Sequence, residues 1–372
     1  MINVSEMFSE FFASNYSVSK QTVRTTYPSI ILPSSFCIAS CEIPVLKLFE
    51  ELQRNTGTTY GPDLIPGIIF SSCCYPLTRP IHFLFSLSLS SGVFSVRWKS
   101  NYITPIFKSG DKSDVSNYRP ISKLSVLPKI FEKLLEPELS LSFKNVLNNC
   151  QHGFRSSKST ITNLLVFYTN IVSTVTNGGR VDAIYTDMKK AFDTVNHKVL
   201  IDLSPLLFLI FMNDLSDVFQ HSSYLCFADG VKIYSNIRRV HDSHNLQADL
   251  CRFYNWCVVN GLCLNVSKCA QITFSRKRSY ELYAYNINSI NLINIPHIKD
   301  LGVILSSDLS FTEHISFIYN KALRMLGFLK RNCWEFSNPI CLRVIHFSLV
   351  RSIVEYGSII WLPYQANLTN KL

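Results

Sequence analysis

The chain has 372 residues, of which 47% are apolar and 17% charged; it is long enough to bury one large or two modest cores and too apolar to be mainly disordered. Lysine and arginine number 36 against 26 acidic residues, a net charge of +10, which points to a polyanionic partner, nucleic acid before anionic membrane. The apolar runs at 81–96 and 204–212 are too short to span a bilayer, and the first twenty residues, with Glu6 and Glu10, have no secretory leader, so the expectation is an intracellular protein, nuclear or cytoplasmic, with no membrane association.

Residues 1–60 are weakly patterned apart from an amphipathic stretch, Val45 to Leu52. A loop by composition follows at Gly57 to Pro66. From Leu84 the sequence predicts a helix stopped by Gly92, then an aromatic-anchored loop at Phe94 and Trp98. A β-prone run, Ile103 to Phe107, leads into the basic loop Lys108-Ser109-Gly110-Asp111-Lys112, followed by Asn117-Tyr118-Arg119-Pro120. Such loops often touch phosphates, though most touch only water. Leu127 to Leu141 has helical spacing interrupted by Pro137.

Gln151-His152-Gly153-Phe154-Arg155 and Lys158 precede a helical run, Ile161 to Val175. Cations at a helix start gain nothing from its dipole, so this pair favours an anion held there as much as a plain solvated surface. Tyr185-Thr186-Asp187 then ends a β-prone run, and Phe227-Ala228-Asp229-Gly230 lies between two more. Asp-Gly in that setting is a strong hairpin signal. Each stretch alone reads as an ordinary turn. Together they place two carboxylates at neighbouring strand tips, where divalent cations are shared. Beyond them the pattern predicts a helix from Val240 to Asn260 ending at Gly261, and an alternating strand through Leu262, Leu264, Val266, Ile272 and Phe274. The stretch His297 to Ile315, with Leu301-Gly302-Val303 and Asp308-Leu309-Ser310-Phe311, and two helical stretches, Ile315 to Asn332 and Ile340 to Tyr356, complete the order. The first of those helices carries Lys321, Arg324, Lys330 and Arg331, a face suited to a duplex backbone. Twelve cysteines provide no matched metal-binding pairs. The evenly spaced Cys251, Cys257, Cys263 and Cys269 cross two predicted elements and read as buried thiols.

The order of these motifs resembles the reverse transcriptase domain of non-LTR retrotransposons of the LINE-like, Jockey type. The resemblance covers roughly Gly61 to Trp361; its motifs are specific as an ordered set and weak singly. It implies an α+β fold, a right-hand polymerase of fingers, palm and thumb, with an antiparallel palm sheet packed on helices. The expected division is a 1–60 extension, fingers and palm at 61–312, and a helical thumb-like region at 313–372. It implies RNA-directed DNA polymerase activity with an RNA template, a DNA primer, deoxynucleoside triphosphates and a two-metal Mg²⁺ site, and no evident protein partner.

By residue, the resemblance makes Asp187 and Asp229 the metal ligands and Lys268 the acid that protonates leaving pyrophosphate. Lys108, Arg119, Arg155 and Lys158 face nucleotide or template phosphates, and Phe192 packs under the sugar and selects it. Asp193 caps the helix that follows. Two departures stand out. Gly230 occupies the place of the family's second hairpin aspartate. Near 201–203 a long segment is missing, ending in the family's Pro-Gln-Gly-Ser, just before Leu203-Ser204-Pro205. The alternative implied is a catalytically inactive nucleic-acid-binding remnant.

Overall fold

In a computed structural model of the chain, the described residues are 4–15, 41–189, 205–277, 281–336, 338–363 and 369. They fall into two compact units, Met1–Asn148 with Lys190–Asp214 and Val259–Leu262, and Asn149–Lys189 with Leu215–Val258 and Cys263–Leu372. The boundary expected at 60 lies inside the first unit and that at 312 inside the second.

The first unit contains α1 (Val4–Asn15), α2 (Val45–Arg54), α3 (Gly67–Ser72), α4 (Cys74–Ser91), β1 (Tyr102–Phe107), β2 (Tyr118–Lys123), α5 (Val126–Phe143) and the short helix Pro205–Phe211. Spacing by three and four buries one stripe of each long helix: Leu48 and Leu52 of α2, Ile81, Phe85 and Leu89 of α4, Ile130, Phe131, Leu135 and Leu139 of α5. Leu209 of the short helix joins this core, so the apolar run at 204–212, too short to span a bilayer, is a core element in its described part. Gly92 takes φ 66° and stops α4 as expected. Phe85 meets Trp98 edge-on at 5.6 Å, and Trp98 meets Phe131 at 5.6 Å, which anchors the loop after α4. Pro137 does not interrupt α5. A proline removes one helical hydrogen bond, but Ile130, Phe131 and Leu135 before it and Leu139 and Phe143 after it are buried in the same core, which keeps the helix whole.

The second unit contains α6 (Thr160–Thr176), β3 (Arg180–Thr186), β4 (Ser223–Phe227), β5 (Gly230–Ile237), α7 (Val240–Val259), β6 (Ala270–Phe274), β7 (Asn286–Ile287), β8 (Ile290–Asn291), β9 (Ile293–Asn294), β10 (His297–Asp300), β11 (Val303–Ser306), α8 (Thr312–Asn332) and α9 (Pro339–His346). Among the described residues its largest sheet has the order β4-β5-β3-β6-β9. β3, β4, β5 and β6 pair antiparallel, but β6 pairs parallel with β9. The sheet is therefore mixed, which corrects the all-antiparallel expectation. The crossover through β7 and β8 returns the chain to the β6 edge in the same direction.

Alternation sorts the strands by face. Val181 and Ala183 of β3, Tyr234 of β5 and Ile272 and Phe274 of β6 pack with Leu164, Phe167 and Ile171 of α6 in one core. From the opposite face Tyr224 stacks on Phe219 at 4.5 Å, and Phe219 on Phe253 of α7 at 5.9 Å. Gly261 takes φ 72° just past α7, the expected stop. The strand expected from Leu262 is shorter than its alternation, because residues 266–268 form a 3-10 turn before β6. Of the four evenly spaced cysteines, Cys257 and Cys269 are buried and Cys251 and Cys263 exposed, so the buried-thiol reading holds for two.

Two histidines are buried neutral in this unit. His314 accepts from the Ile304 amide through Nδ1 at 3.3 Å and packs edge-on against Trp361 at 5.2 Å. His152 pairs through Nδ1 with the Thr162 hydroxyl at 2.8 Å. Burial, with Lys299 facing His314 and with Lys158, Lys232 and Arg155 facing His152, pushes each imidazole down to about 4. The unfolded chain therefore binds protons first as pH falls. Stability from this source is complete above about pH 6.5 and is lost on the way to about pH 4. Denaturant unfolding should show a loss of about 2 kcal/mol per histidine between pH 6.5 and pH 5; a flat profile over that range contradicts the assignment.

Candidate active site

The register of β3 against β5 runs from Arg180↔Ile237 to Thr186↔Val231. Asp187 is the residue after the last pair of β3, and Gly230 the residue before its partner Val231 in β5. β4 and β5 close on the pair Phe227↔Gly230, so the turn residues are Ala228 and Asp229. This corrects the sequence reading, which put Asp229-Gly230 at the turn centre. Ala228 carries the positive φ, 54°, at the position a type II′ turn reserves for glycine. Gly230 already belongs to the strand. Asp187 and Asp229 thus sit at adjacent strand ends, both half-buried.

Beyond β3 the chain leaves β5 and pairs on its other side. The Asn265 amide donates to Asp187 O at 2.7 Å, and the Lys189 amide to Cys263 O at 2.8 Å, around an antiparallel bridge from Met188 to Leu264. Asn265 opens the 3-10 turn Val266–Lys268, which brings Lys268 Nζ to 3.6 Å from Asp187 Oδ2. Both side chains are about half exposed, so the pair adds little stability.

Cys150 to Gly153 run beside the edge of β4. The Cys226 amide donates to Cys150 O at 2.9 Å and the His152 amide to Cys226 O at 3.0 Å, making a parallel bridge at Gln151. Asn163 of α6 adds a side-chain bond to Cys226 O at 2.9 Å. The Gln151 carboxamide grips the turn: Nε2 donates to Ala228 O at 3.1 Å, and Oε1 accepts from the Ala228 amide at 3.1 Å and the Gly153 amide at 2.8 Å. A Cβ at Gly153 would collide with the Ala228 nitrogen, so only glycine fits there. Sequence reasoning marked this stretch but assigned Gln151 nothing. The signal available was Gly153, a glycine two residues after Gln151 and outside any predicted hairpin.

Asp249 of α7 fixes the other end of the hairpin. It accepts from the amides of Gln220, His221 and Ser222 at 2.9, 2.9 and 2.7 Å and is joined by Arg252. Burial alone would raise its carboxyl, but these donors outweigh burial and hold it below the ordinary range.

The remaining candidates divide. Arg155 lies two residues past Gly153. Lys158 Nζ donates to Asn149 O at 3.1 Å. The α6 N-terminus is closed by a capping box between Ser159 and Thr162, which uses donors an anion would otherwise take. Lys108 and Arg119 are exposed on the β1–β2 ribbon of the first unit, where Ile106 pairs with Arg119. Phe192, Asp193 and the 201–203 junction lie outside the described residues.

Among the described residues no group of three or more His, Cys, Asp or Glu side chains gathers as a metal cluster. Two carboxylates at adjacent strand ends still suit Mg²⁺, which takes one or two carboxylates and fills its shell with water and phosphate oxygens. The donor set fits the cation, one carboxylate poorer for Gly230.

The chain matches the family described as reverse transcriptase (RNA-dependent DNA polymerase) over residues 108–202 and 201–328, in two pieces that meet at 201–202. It is 22% identical over 369 residues to the Probable RNA-directed DNA polymerase from transposon X-element of Drosophila melanogaster, covering 83% of this chain and 40% of that protein. It is 25% identical over 293 residues to the RNA-directed DNA polymerase from mobile element jockey of the same species, covering 63% and 32%. It is 32% identical over 111 residues to the Retrovirus-related Pol polyprotein from type-1 retrotransposable element R2 of Popillia japonica, covering 30% and 15%. The chain spans less than half the length of these relatives. With the family matched over more than half of its residues, and with curated relatives from non-LTR elements, the chain belongs to the reverse transcriptase family.

Proposed function

We propose that the chain is the polymerase portion of a retrotransposon-derived protein, built to copy an RNA template onto a DNA primer from deoxynucleoside triphosphates. The observation that carries this reading is the register that sets Asp187 beside the turn holding Asp229, with Lys268 3.6 Å from Asp187. In the right-hand division, 61–312 is fingers and palm and 313–372 the thumb-like region, after an extension at 1–60. Asp187 and Asp229 hold Mg²⁺. Bound there, Mg²⁺ supplies neutralisation of the attacking and leaving oxygens of an in-line displacement. Lys268 delivers a proton from Nζ to the leaving pyrophosphate. Arg155 and Lys158 steady the triphosphate, Lys108 and Arg119 bind phosphates from the ribbon, and Phe192 selects the sugar. The protein works inside the cell. Among the described residues no helix is long and apolar enough to cross a membrane. Primer extension on an RNA template with Mg²⁺ or Mn²⁺, compared with Asp187→Asn, tests the reading; extension that survives Asp187→Asn overturns it.

A second reading, a nucleic-acid-binding remnant without catalysis, is favoured by Gly230 and by the break of the family match at 201–202. Both readings expect salt-sensitive, sequence-indifferent binding to primer–template. Lys321, Arg324, Lys330 and Arg331 are exposed on α8. Each phosphate neutralised should add about 0.9 to the slope of log affinity against log salt on duplex DNA. Alanine at all four should lower that slope by about 3 to 4, measured by anisotropy; an unchanged slope removes α8 from the interface.

A further inference from the structure

We propose that Gln151 is a positioning residue for the cation site: its carboxamide acts as a backbone surrogate that holds the Ala228–Asp229 turn, and so presents the Asp229 carboxylate beside Asp187. This rests on the reading of Asp187 and Asp229 as a cation pair. Gln151 touches neither carboxylate in the role assigned to it, and acts through the Ala228 backbone.

The turn has three features that need an external hold. A two-residue hairpin turn with positive φ at its first central residue calls for glycine, and the residue here is alanine. The β4 edge ends at Phe227, so the Ala228 N–H and C=O lie beyond the ladder. Ala228 is nonetheless buried, and buried backbone groups without partners are costly. Gln151 answers all three. Its donor meets Ala228 O and its acceptor meets the Ala228 amide, both at 3.1 Å, the two-point pattern of a neighbouring strand. Gln151 is itself buried. Its Oε1 is fixed by the Gly153 amide at 2.8 Å, so the carboxamide is held in one orientation. Gly153 lets this segment approach closely enough to reach.

The clamp fixes φ and ψ at Ala228, and the next residue is Asp229. Releasing it lets the turn relax toward conformations with negative φ at alanine, which swings the Asp229 side chain away from the end of β3. Gln151→Met keeps volume and removes both bonds. Two hydrogen bonds of ordinary strength correspond to roughly tenfold or more in the population of the held turn.

The test uses the full chain, with Mn²⁺ as probe, followed by electron paramagnetic resonance, and amide hydrogen exchange of the peptide spanning 224–231. Gln151→Met is expected to speed exchange in that peptide and weaken Mn²⁺ binding, each about tenfold, with exchange in α6 and β6 unchanged. Adding Ala228→Gly should restore much of both, because glycine takes positive φ without a clamp. A role for Gln151 in packing alone predicts no such rescue. Unchanged exchange at 224–231, or Mn²⁺ affinity unchanged while Asp187→Asn weakens it, overturns the proposal. Mn²⁺ binding indifferent to Asp187→Asn overturns the cation-site reading instead, and the exchange arm still decides whether Gln151 holds the turn. Should Gln151→Met fail to fold, Gln151→Glu replaces it, keeping the acceptor and losing the donor, with the same rescue required.

Discussion

Gly230→Asp will yield a folded protein that extends a primer scarcely better than the parent chain, whereas the same substitution combined with a restored segment at 201–203 will raise extension at least about a hundredfold. The fold half of this expectation is steric. Gly230 is not in the left-handed region, and a Cβ there meets only Phe227 O at 3.5 Å, so aspartate enters without strain. Its carboxylate would be added next to Val231, the partner of Thr186, near the end of β3 that carries Asp187, where like charges repel until a cation intervenes. The activity half is a matter of which loss dominates. On the proposed cation site Asp187 and Asp229 are both kept, so Gly230 would cost only part of the field there. On the proposed reading, the segment expected near 201–203 is the one that sets template against nucleotide. Orientation of reactants contributes about 7–11 kcal/mol to such reactions, and a misplacement of about 1 Å costs about a hundredfold. Single-nucleotide incorporation on an RNA template measures both variants. Rates of about 1 per second or more from the parent, or from Gly230→Asp alone, would show that the segment is dispensable.

Asp300→Ala should destabilise the second unit by about 3–5 kcal/mol, the largest single-residue effect on stability expected here. Lys232 of β5 and Asp300 of β10 form an ion pair, each at most 6% exposed. The Tyr185 hydroxyl donates to the same carboxylate at 3.0 Å, and Lys232 Nζ lies 4.5 Å from the Phe167 ring centre. Burial lowers the Lys232 ammonium from its usual range and Asp300 works against that shift. Removing Asp300 therefore leaves a cation with no anion in a dry core. The double change Lys232→Met with Asp300→Asn should recover most of the loss, since no charge remains and Asn still accepts from Tyr185. Urea midpoints for the three variants decide. A double variant no more stable than Asp300→Ala would mean that the pair is worth more than its desolvation.

The candidate site was legible in the sequence where chemistry depends on order along the chain. Asp187 closes a β-prone run, Asp229 sits at a hairpin, and Lys268 precedes another strand. The helices α2, α6 and α7, and the C-terminal part of α4 from Leu84, were legible for the same reason, because a stripe at three and four has one solution in a globular core; the start of α4 at Cys74 was not read. The gap expected near 201–203 is likewise a reading of the order of motifs, and the two pieces of the family match meet there.

What the sequence did not contain is cross-chain register. The pattern Phe-Ala-Asp-Gly is compatible with a turn at Asp229-Gly230 or one residue earlier, and local preference favours the former. The pairing Phe227↔Gly230 moved it, and the reason lies 77 positions upstream in the carboxamide of Gln151. A side chain that substitutes for a strand leaves no period or propensity to read. The same holds for Lys232 and Asp300. In sequence they are 68 positions apart, with no local pattern that pairs them, and only the fold buries them against one another. Local spacing by itself determined which elements form and which residue types end them. Tertiary structure decided which backbone atoms meet across the chain, because those contacts arise from distant segments brought together by burial.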